Sequence, residues 1–375
     1  MKKTLIFGLL IGLILSGCQA PAMPMSESPV EPVTVKAETP AVVKESVPVE
    51  TIEAMAAEPE TETAEPETTE PVMPETDESE RELSLADYFP ALENSRRTFK
   101  GVGIEYASYS VRTEYTDGDR YQFHNNNGGT ETVNVFEVSE SEVRLVFTES
   151  ENYSRLDRLA HATPNQERIL LQAPLVAGHS WEDPILGVST ILRLDEPIVI
   201  LGTELVRALV VESEEMINYY APGYGLVKTV YPEHDISSTL DQIEYDLAYP
   251  ERIDLVHLDE SGRPMGTTVT FDIKTNDPLE ARLSEALRRP SPEGLGLPAG
   301  FEINRIDKEP FSPAVSVDLG AGIYDIAPEE EPDRLRELAL TLSGYFSASD
   351  VYFSVEGGDY DSGTLRLDRT EPFEG

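Results

Sequence analysis

Between Gln19 and Leu83 the chain has no aromatic residue, and aromatics then begin abruptly at Tyr88-Phe89-Pro90. The aromatic-free stretch is built from Pro, Glu, Thr, Val and Ala, as in Glu58-Pro59-Glu60-Thr61-Glu62-Thr63-Ala64-Glu65-Pro66. Its apolar residues keep neither a helical nor a strand period. Such a composition cannot bury enough surface to offset the entropy of ordering, so residues 18–83 are expected to form a disordered, charge-extended stalk. Fully extended, that stalk reaches about 200 Å, against roughly 45 Å for a flexible coil. Packed structure is therefore expected only in the residues that follow.

From 84 to about 250 the pattern is that of strands. Residues alternate in Ile104-Glu105-Tyr106-Ala107-Ser108-Tyr109-Ser110-Val111-Arg112, and turn signals stand at Thr116-Asp117-Gly118-Asp119 and Asn125-Asn126-Asn127-Gly128-Gly129. Further strands are predicted over 132–138, 143–148, 189–194, 205–212 and 225–231. Serial strands joined by short turns predict a mostly antiparallel middle domain, a curved sheet or partial barrel. Trp181 reads as a core anchor, and Pro222-Gly223-Tyr224-Gly225 as a tight turn feeding the next strand.

From 251 to 375 the expected order is ββαββαβ, giving an α+β chain overall. A hairpin is predicted from 253–258 and 267–273 across Glu260-Ser261-Gly262. A helix then starts with Asp277 as N-cap and Pro278 at its first position, and ends at Arg288-Arg289-Pro290. Its inward face is Leu279, Leu283, Ala286 and Leu287. Strands follow at 302–307 and 314–319. The second helix begins after Glu329-Glu330-Glu331-Pro332, with the stripe Leu335, Leu338, Ala339, Leu342 and Phe346, and a last strand spans 350–355. Two helices on one face of a small sheet would account for this order.

The chain opens with Met1-Lys2-Lys3 and an apolar run over 5–15, then Leu15-Ser16-Gly17-Cys18. The run is shorter than the roughly 20 residues a spanning helix needs, so residues 1–17 are expected to be a cleaved secretory signal. The four residues at its end resemble the bacterial lipobox. That resemblance implies a thioether-linked diacylglycerol on Cys18, with acyl chains such as palmitate holding the protein on the outer face of a cell membrane. Cys18 is the only cysteine, so no intrachain disulfide is available and packing must hold the fold. A formal net charge of -41 repels nucleic acid, which is excluded as a partner.

Two segments, Pro174-Leu175-Val176-Ala177-Gly178-His179-Ser180-Trp181 and Tyr219-Tyr220-Ala221-Pro222-Gly223-Tyr224-Gly225-Leu226-Val227-Lys228, resemble pieces of exported bacterial proteins with extended antiparallel sheets, some related in shape to lipoprotein carriers. The C-terminal part is similar to the GerM-type (GerMN) sporulation and germination domain. It carries Leu283-Ser284-Glu285-Ala286-Leu287 before a proline, Leu297-Pro298-Ala299-Gly300, Val315-Ser316-Val317-Asp318-Leu319 and Val351-Tyr352-Phe353-Ser354-Val355-Glu356-Gly357. The resemblance implies an exported lipoprotein with a part in envelope complexes and brings no catalytic residues. The acidic loop over 324–333 and the tail beyond Gly358 depart from that pattern.

No catalytic, cofactor or metal site is expected. His124, His161, His179, His234 and His257 stand singly, without paired ligand spacing. Asp359-Tyr360-Asp361-Ser362-Gly363 begins like a calcium loop, but Thr370 holds the twelfth position where a bidentate Glu belongs, so it reads as a polar turn. The expected role is a non-catalytic interaction or assembly module with envelope-protein partners. The alternatives are a carrier or sensor of an apolar ligand held in the middle domain and, third, an extracytoplasmic hydrolase.

Overall fold

The computed structural model describes residues 83–159 and 162–374, which belong to one compact unit. The expected signal, the lipid site at Cys18, the stalk up to residue 82 and His161 lie outside the described residues.

The chain is mostly antiparallel β. Twelve strands form one sheet: β1 (Arg96–Val102), β2 (Tyr109–Asp117), β3 (Arg120–Asn126), β4 (Glu131–Val138), β5 (Glu142–Ser150), β6 (Arg168–Gln172), β7 (Ser180–Asp183), β8 (Gly187–Ile200), β9 (Glu204–Glu212), β10 (Ile217–Ala221), β11 (Gly225–Tyr231) and β12 (Ile236–Glu244). Every strand pairs with its neighbour in sequence except β6 with β7, and β1 closes onto β12. The result is a nearly closed barrel whose gap lies in the middle of the chain. Side chains of β7 bridge that gap: the Trp181 indole donates to the Ile169 carbonyl at 3.0 Å, and Asp183 Oδ2 accepts from the Ile169 N–H at 2.8 Å.

The barrel interior is occupied by side chains. Phe99, Val111, Phe123, Trp181, Ile191, Leu209, Tyr220 and Leu240 are buried in one cluster. A short helix α1 (Leu85–Tyr88) and the next residue contribute Leu85, Tyr88 and Phe89 to the same cluster. The Phe89 ring lies 5.8 Å from Phe123 and 5.0 Å from Phe136. Arg97 is buried there too, its guanidinium 4.7 Å over the Phe123 ring.

Residues 104–108 are not strand. Glu105–Ala107 form a 3-10 turn lying against β1, with the Gly101 N–H donating to Ser108 Oγ at 2.9 Å and Ser238 Oγ donating to the Ala107 carbonyl at 2.7 Å. Any Cβ at Gly101 would meet the Ala107 carbonyl carbon at 2.2 Å. Local alternation lost here to a close tertiary contact that glycine alone admits.

The remaining elements are β13 (Tyr249–Leu258), β14 (Pro264–Ile273), α2 (Leu279–Arg288), β15 (Ile303–Asp307), β16 (Ala314–Leu319), α3 (Glu331–Phe346), β17 (Asp350–Val355), β18 (Tyr360–Asp361) and β19 (Arg366–Leu367). Their strands do not share one sheet. They divide into the β13–β14 ribbon, a three-stranded sheet in the order β15–β16–β17 with β16 and β17 parallel, and the β18–β19 pair. Asp277 does not cap α2: Pro278 takes that position, and Asp277 Oδ2 instead accepts from the Lys274 N–H and the Arg282 guanidinium. The helix stripes converge as amphipathic faces should: Leu279, Leu283, Ala286, Leu287, Leu335, Leu338, Leu342 and Phe346 share a core with Ile253, Leu255, Val315, Val317 and Phe353. Leu156, from the segment joining β5 to β6, is buried in that same core.

Candidate functional site

The two edges of the β13–β14 ribbon have different surroundings. On β13, helix α3 reaches over the edge: Thr341 Oγ1 accepts from the Val256 N–H at 2.9 Å, and Glu337 Oε1 from the Leu258 N–H at 2.7 Å. On the far side, β14 pairs with β13 alone among the described residues. Pro264, Met265, Gly266, Thr268 and Thr270 are exposed, Met265 at 59 %. From Pro264 to Phe271 the strand carries no charge, although the whole chain has a net charge of -41. Natural sheets blunt such edges with charge, bulges or cover. On β14 the devices present are proline at its start and a single charge, Asp272, near its end.

The ribbon is held to the barrel by a buried ionic seam. A bulge in β2 between Thr113 and Tyr115 turns three successive side chains, Thr113, Glu114 and Tyr115, into buried positions. Glu114 Oε1 accepts from Arg112 Nη2 at 3.0 Å and from His124 Nδ1 at 2.9 Å, and Oε2 accepts from Gln122 Nε2 at 2.9 Å. The other ring nitrogen of His124 donates to Glu131 Oε2 at 2.6 Å. A carboxylate on each ring nitrogen favours the imidazolium form.

Gln122 also fastens the 151–166 segment, donating to the Leu156 carbonyl at 2.8 Å and accepting from the Arg158 N–H at 2.7 Å. From that segment Arg155, completely buried, lies 4.9 Å over the Tyr115 ring. Its Nη2 donates to the carbonyls of Glu114 at 2.8 Å and Lys274 at 2.7 Å. Arg158 pairs with Glu149 at 2.7 Å and donates to the Lys308 carbonyl. Asn94 and Thr275 exchange two hydrogen bonds, and Thr116 and Asn276 exchange two more. The ribbon therefore follows the barrel as one body.

Burial alone would raise the Glu114 pKa and lower that of His124. The mutual charge and the hydrogen bonds outweigh it, so Glu114 lies well below the ordinary carboxylate range and His124 above its usual 6.5. Glu131 is likewise lowered, its burial outweighed by the hydrogen bond and charge of His124. Glu251, on β13, moves the opposite way: burial raises it, while the Tyr345 hydroxyl donates to its Oε1 at 2.9 Å. Both ring nitrogens of His124 are engaged and 2 % of its surface is exposed, so the ring ties β2 to β4. The cluster works as a clamp.

That clamp has a pH signature. The stabilisation from raised His124 is complete below the unfolded histidine value of about 6.5 and is lost as pH rises through the folded value. The stabilisation from lowered Glu114 and Glu131 is present above about pH 4.3 and is lost as pH falls through their folded values. Glu251, with its raised pKa, contributes below about pH 4.3 and loses that contribution as pH rises. Urea midpoints should thus fall on both sides of a mildly acidic maximum, and His124→Gln should flatten the alkaline limb. Parallel alkaline limbs for wild type and variant would reject the clamp.

A cleft of about 580 Å³ opens at the same seam, lined by Tyr115, Asp157, Arg158, Leu279, Lys308 and Pro310 among others. On the adjacent loop Phe311 is 70 % exposed and takes a left-handed backbone with φ of 59°, its N–H donating to the buried Glu149 carboxylate.

Of the histidines singled out from the sequence, His124 alone joins the cluster. His179 meets Gln172 and the Trp181 ring, His234 stands on a 3-10 turn, and His257 lies on β13. Among the described residues no set of three or more His, Cys, Asp or Glu is placed to hold a metal ion. In the 359–363 segment Asp361 Oδ1 accepts from the Gly363 N–H, closing the turn between β18 and β19. No protein-family model matches the chain, and neither a curated protein nor a solved structure matches it at a significant level.

Proposed function

We propose that this chain is a non-catalytic interaction module of the bacterial envelope, tethered to the outer face of a membrane by lipid on Cys18, which docks a protein partner along the outer edge of β14. The observation that carries this reading is that edge: ten residues long with six of them exposed, uncharged over most of its length and, among the described residues, paired with β13 alone. Main-chain groups on such an edge add a partner's strand directly. The order from β13 to β17, strand, strand, helix, strand, strand, helix, strand, supports reading residues 251–375 as a GerM-type domain, the class whose resemblance points to envelope complexes. A carrier would hold its apolar ligand inside the barrel. That space is taken up by Phe89, Phe123 and their neighbours, which favours the docking role.

Neighbouring residues in a strand point their N–H groups to opposite sides. Thr267→Pro and Thr268→Pro therefore form a matched pair, in which one removes an N–H facing the partner and the other an N–H facing β13. Crosslinking in the host cell should capture discrete complexes of the full chain. The outward proline should abolish them with little loss of thermal stability, whereas the inward one should lower stability. Complexes that survive both prolines would reject the β14 edge as the docking site.

A further inference from the structure

We propose that the partner at the β14 edge is a second copy of this chain, paired antiparallel about a two-fold axis through Thr268; this rests on the docking role given to that edge above. In an antiparallel pair about a two-fold axis, charges close to the axis meet their own like. In a chain with 70 acidic and 29 basic residues, a self-pairing strand must be uncharged around its centre. Pro264 to Phe271 is an uncharged stretch, and Asp272 is the first charge after it.

Centring the pair on Thr268 sets Asp272 opposite Pro264 of the second copy, so that the two aspartates fall at opposite ends of the ladder. It also sets Met265 opposite Phe271 of the second copy. Both side chains lie on the ribbon face that packs inward, where Phe271 is buried and Met265 is 59 % exposed. Met265 thereby gains an aromatic neighbour across the seam. The two ribbons join as a four-stranded sheet in which β14 of each copy is central and both open edges disappear.

Two measurements test this on the full lipidated chain in detergent, in which Cys18, the only cysteine, carries the lipid, so that no native thiol competes. Sedimentation should show a dimer that tightens as salt rises from low to moderate concentration, because salt screens the repulsion between two acidic bodies and leaves strand pairing intact. Association that weakens with salt would mean ionic contact and overturn the proposal. Thr268→Cys should form a disulfide-linked dimer on mild oxidation, since directly opposed residues in an antiparallel pair lie about 4.5–5.5 Å apart, within disulfide reach. Asp254→Cys, on β13, would sit about 14 Å from its copy across three strand spacings and should not crosslink. Both positions are exposed, so unchanged cooperative unfolding verifies that each variant is folded.

A monomer at every salt concentration, with no Thr268→Cys crosslink, overturns the self-pair. If proline in β14 still removes complexes from host cells in that case, the edge takes a different protein and the docking role stands. If it removes none, both fall together.

Discussion

Arg155→Ala should cost about 3–5 kcal/mol of folding stability, the range found when one partner of a buried charged network is removed. Arg155 is completely buried, and its one Nη2 joins two distant pieces of chain, the Glu114 carbonyl on β2 and the Lys274 carbonyl just beyond β14. Alanine leaves both carbonyls without that donor, takes a cation from beside Glu114 and uncovers one face of the Tyr115 ring. Arg155→Met separates the causes, because it restores most of the volume and none of the charge. The methionine variant should recover less than half of the loss. Denaturant unfolding of both variants is the measurement, and full recovery with methionine would show that packing, not hydrogen bonding and charge, holds the seam. The m-value adds a second reading. If the seam alone couples the ribbon to the barrel, the alanine variant should unfold in two steps where the parent unfolds in one.

The seam was not legible in the sequence, and the β2–β3 register shows why. From the turn, Asp117 pairs with Arg120 and Tyr115 with Gln122, a register that would carry on to place Thr113 opposite His124. The bulge at Glu114 shifts it by one, so that Arg112 stands opposite His124 and Glu114 swings under the ring. Alternation of polar and apolar residues registers faces, and a single inserted residue exchanges them. A histidine judged solitary by its spacing thus acquired two carboxylates, one from β2 and one from β4, across ladders that no local pattern encodes.

What could be read was what depends on one element at a time. The apolar stripes of α2 and α3 are buried residue for residue, Trp181 is a core anchor, and serial strands with short turns gave a nearly closed antiparallel sheet. The single small sheet expected beyond residue 250 was wrong because strand order alone does not say which strands pair. The β13 edge on the side away from β14 is taken by Thr341 and Glu337 of α3.

Asp183→Ala should open the barrel at its only unpaired joint among the described strands, at a cost of about 3 kcal/mol. The carboxylate, 3 % exposed, accepts three backbone N–H groups: Ile169 of β6 at 2.8 Å, Ile185 at 2.9 Å and Leu186 at 2.7 Å. Ile185 is exposed and can turn to water, but the half-buried Ile169 and the buried Leu186 have less access to it, and each buried N–H without an acceptor costs about 1–3 kcal/mol. The Trp181 indole would then be the one remaining tie reaching Ile169 from β7. Amide exchange should accelerate along β6 and β7 while β2, β3 and β4, paired on both sides, stay protected. Asp183→Asn keeps a carbonyl oxygen in place of the carboxylate and should lose less than half as much stability, with the β6 amides still slow. If alanine at this position left exchange in β6 unchanged, closure would rest on Trp181 and the apolar contacts beneath it. Trp181→Phe, which keeps an aromatic ring but removes the N–H and part of the indole packing, would then be the variant that opens the joint.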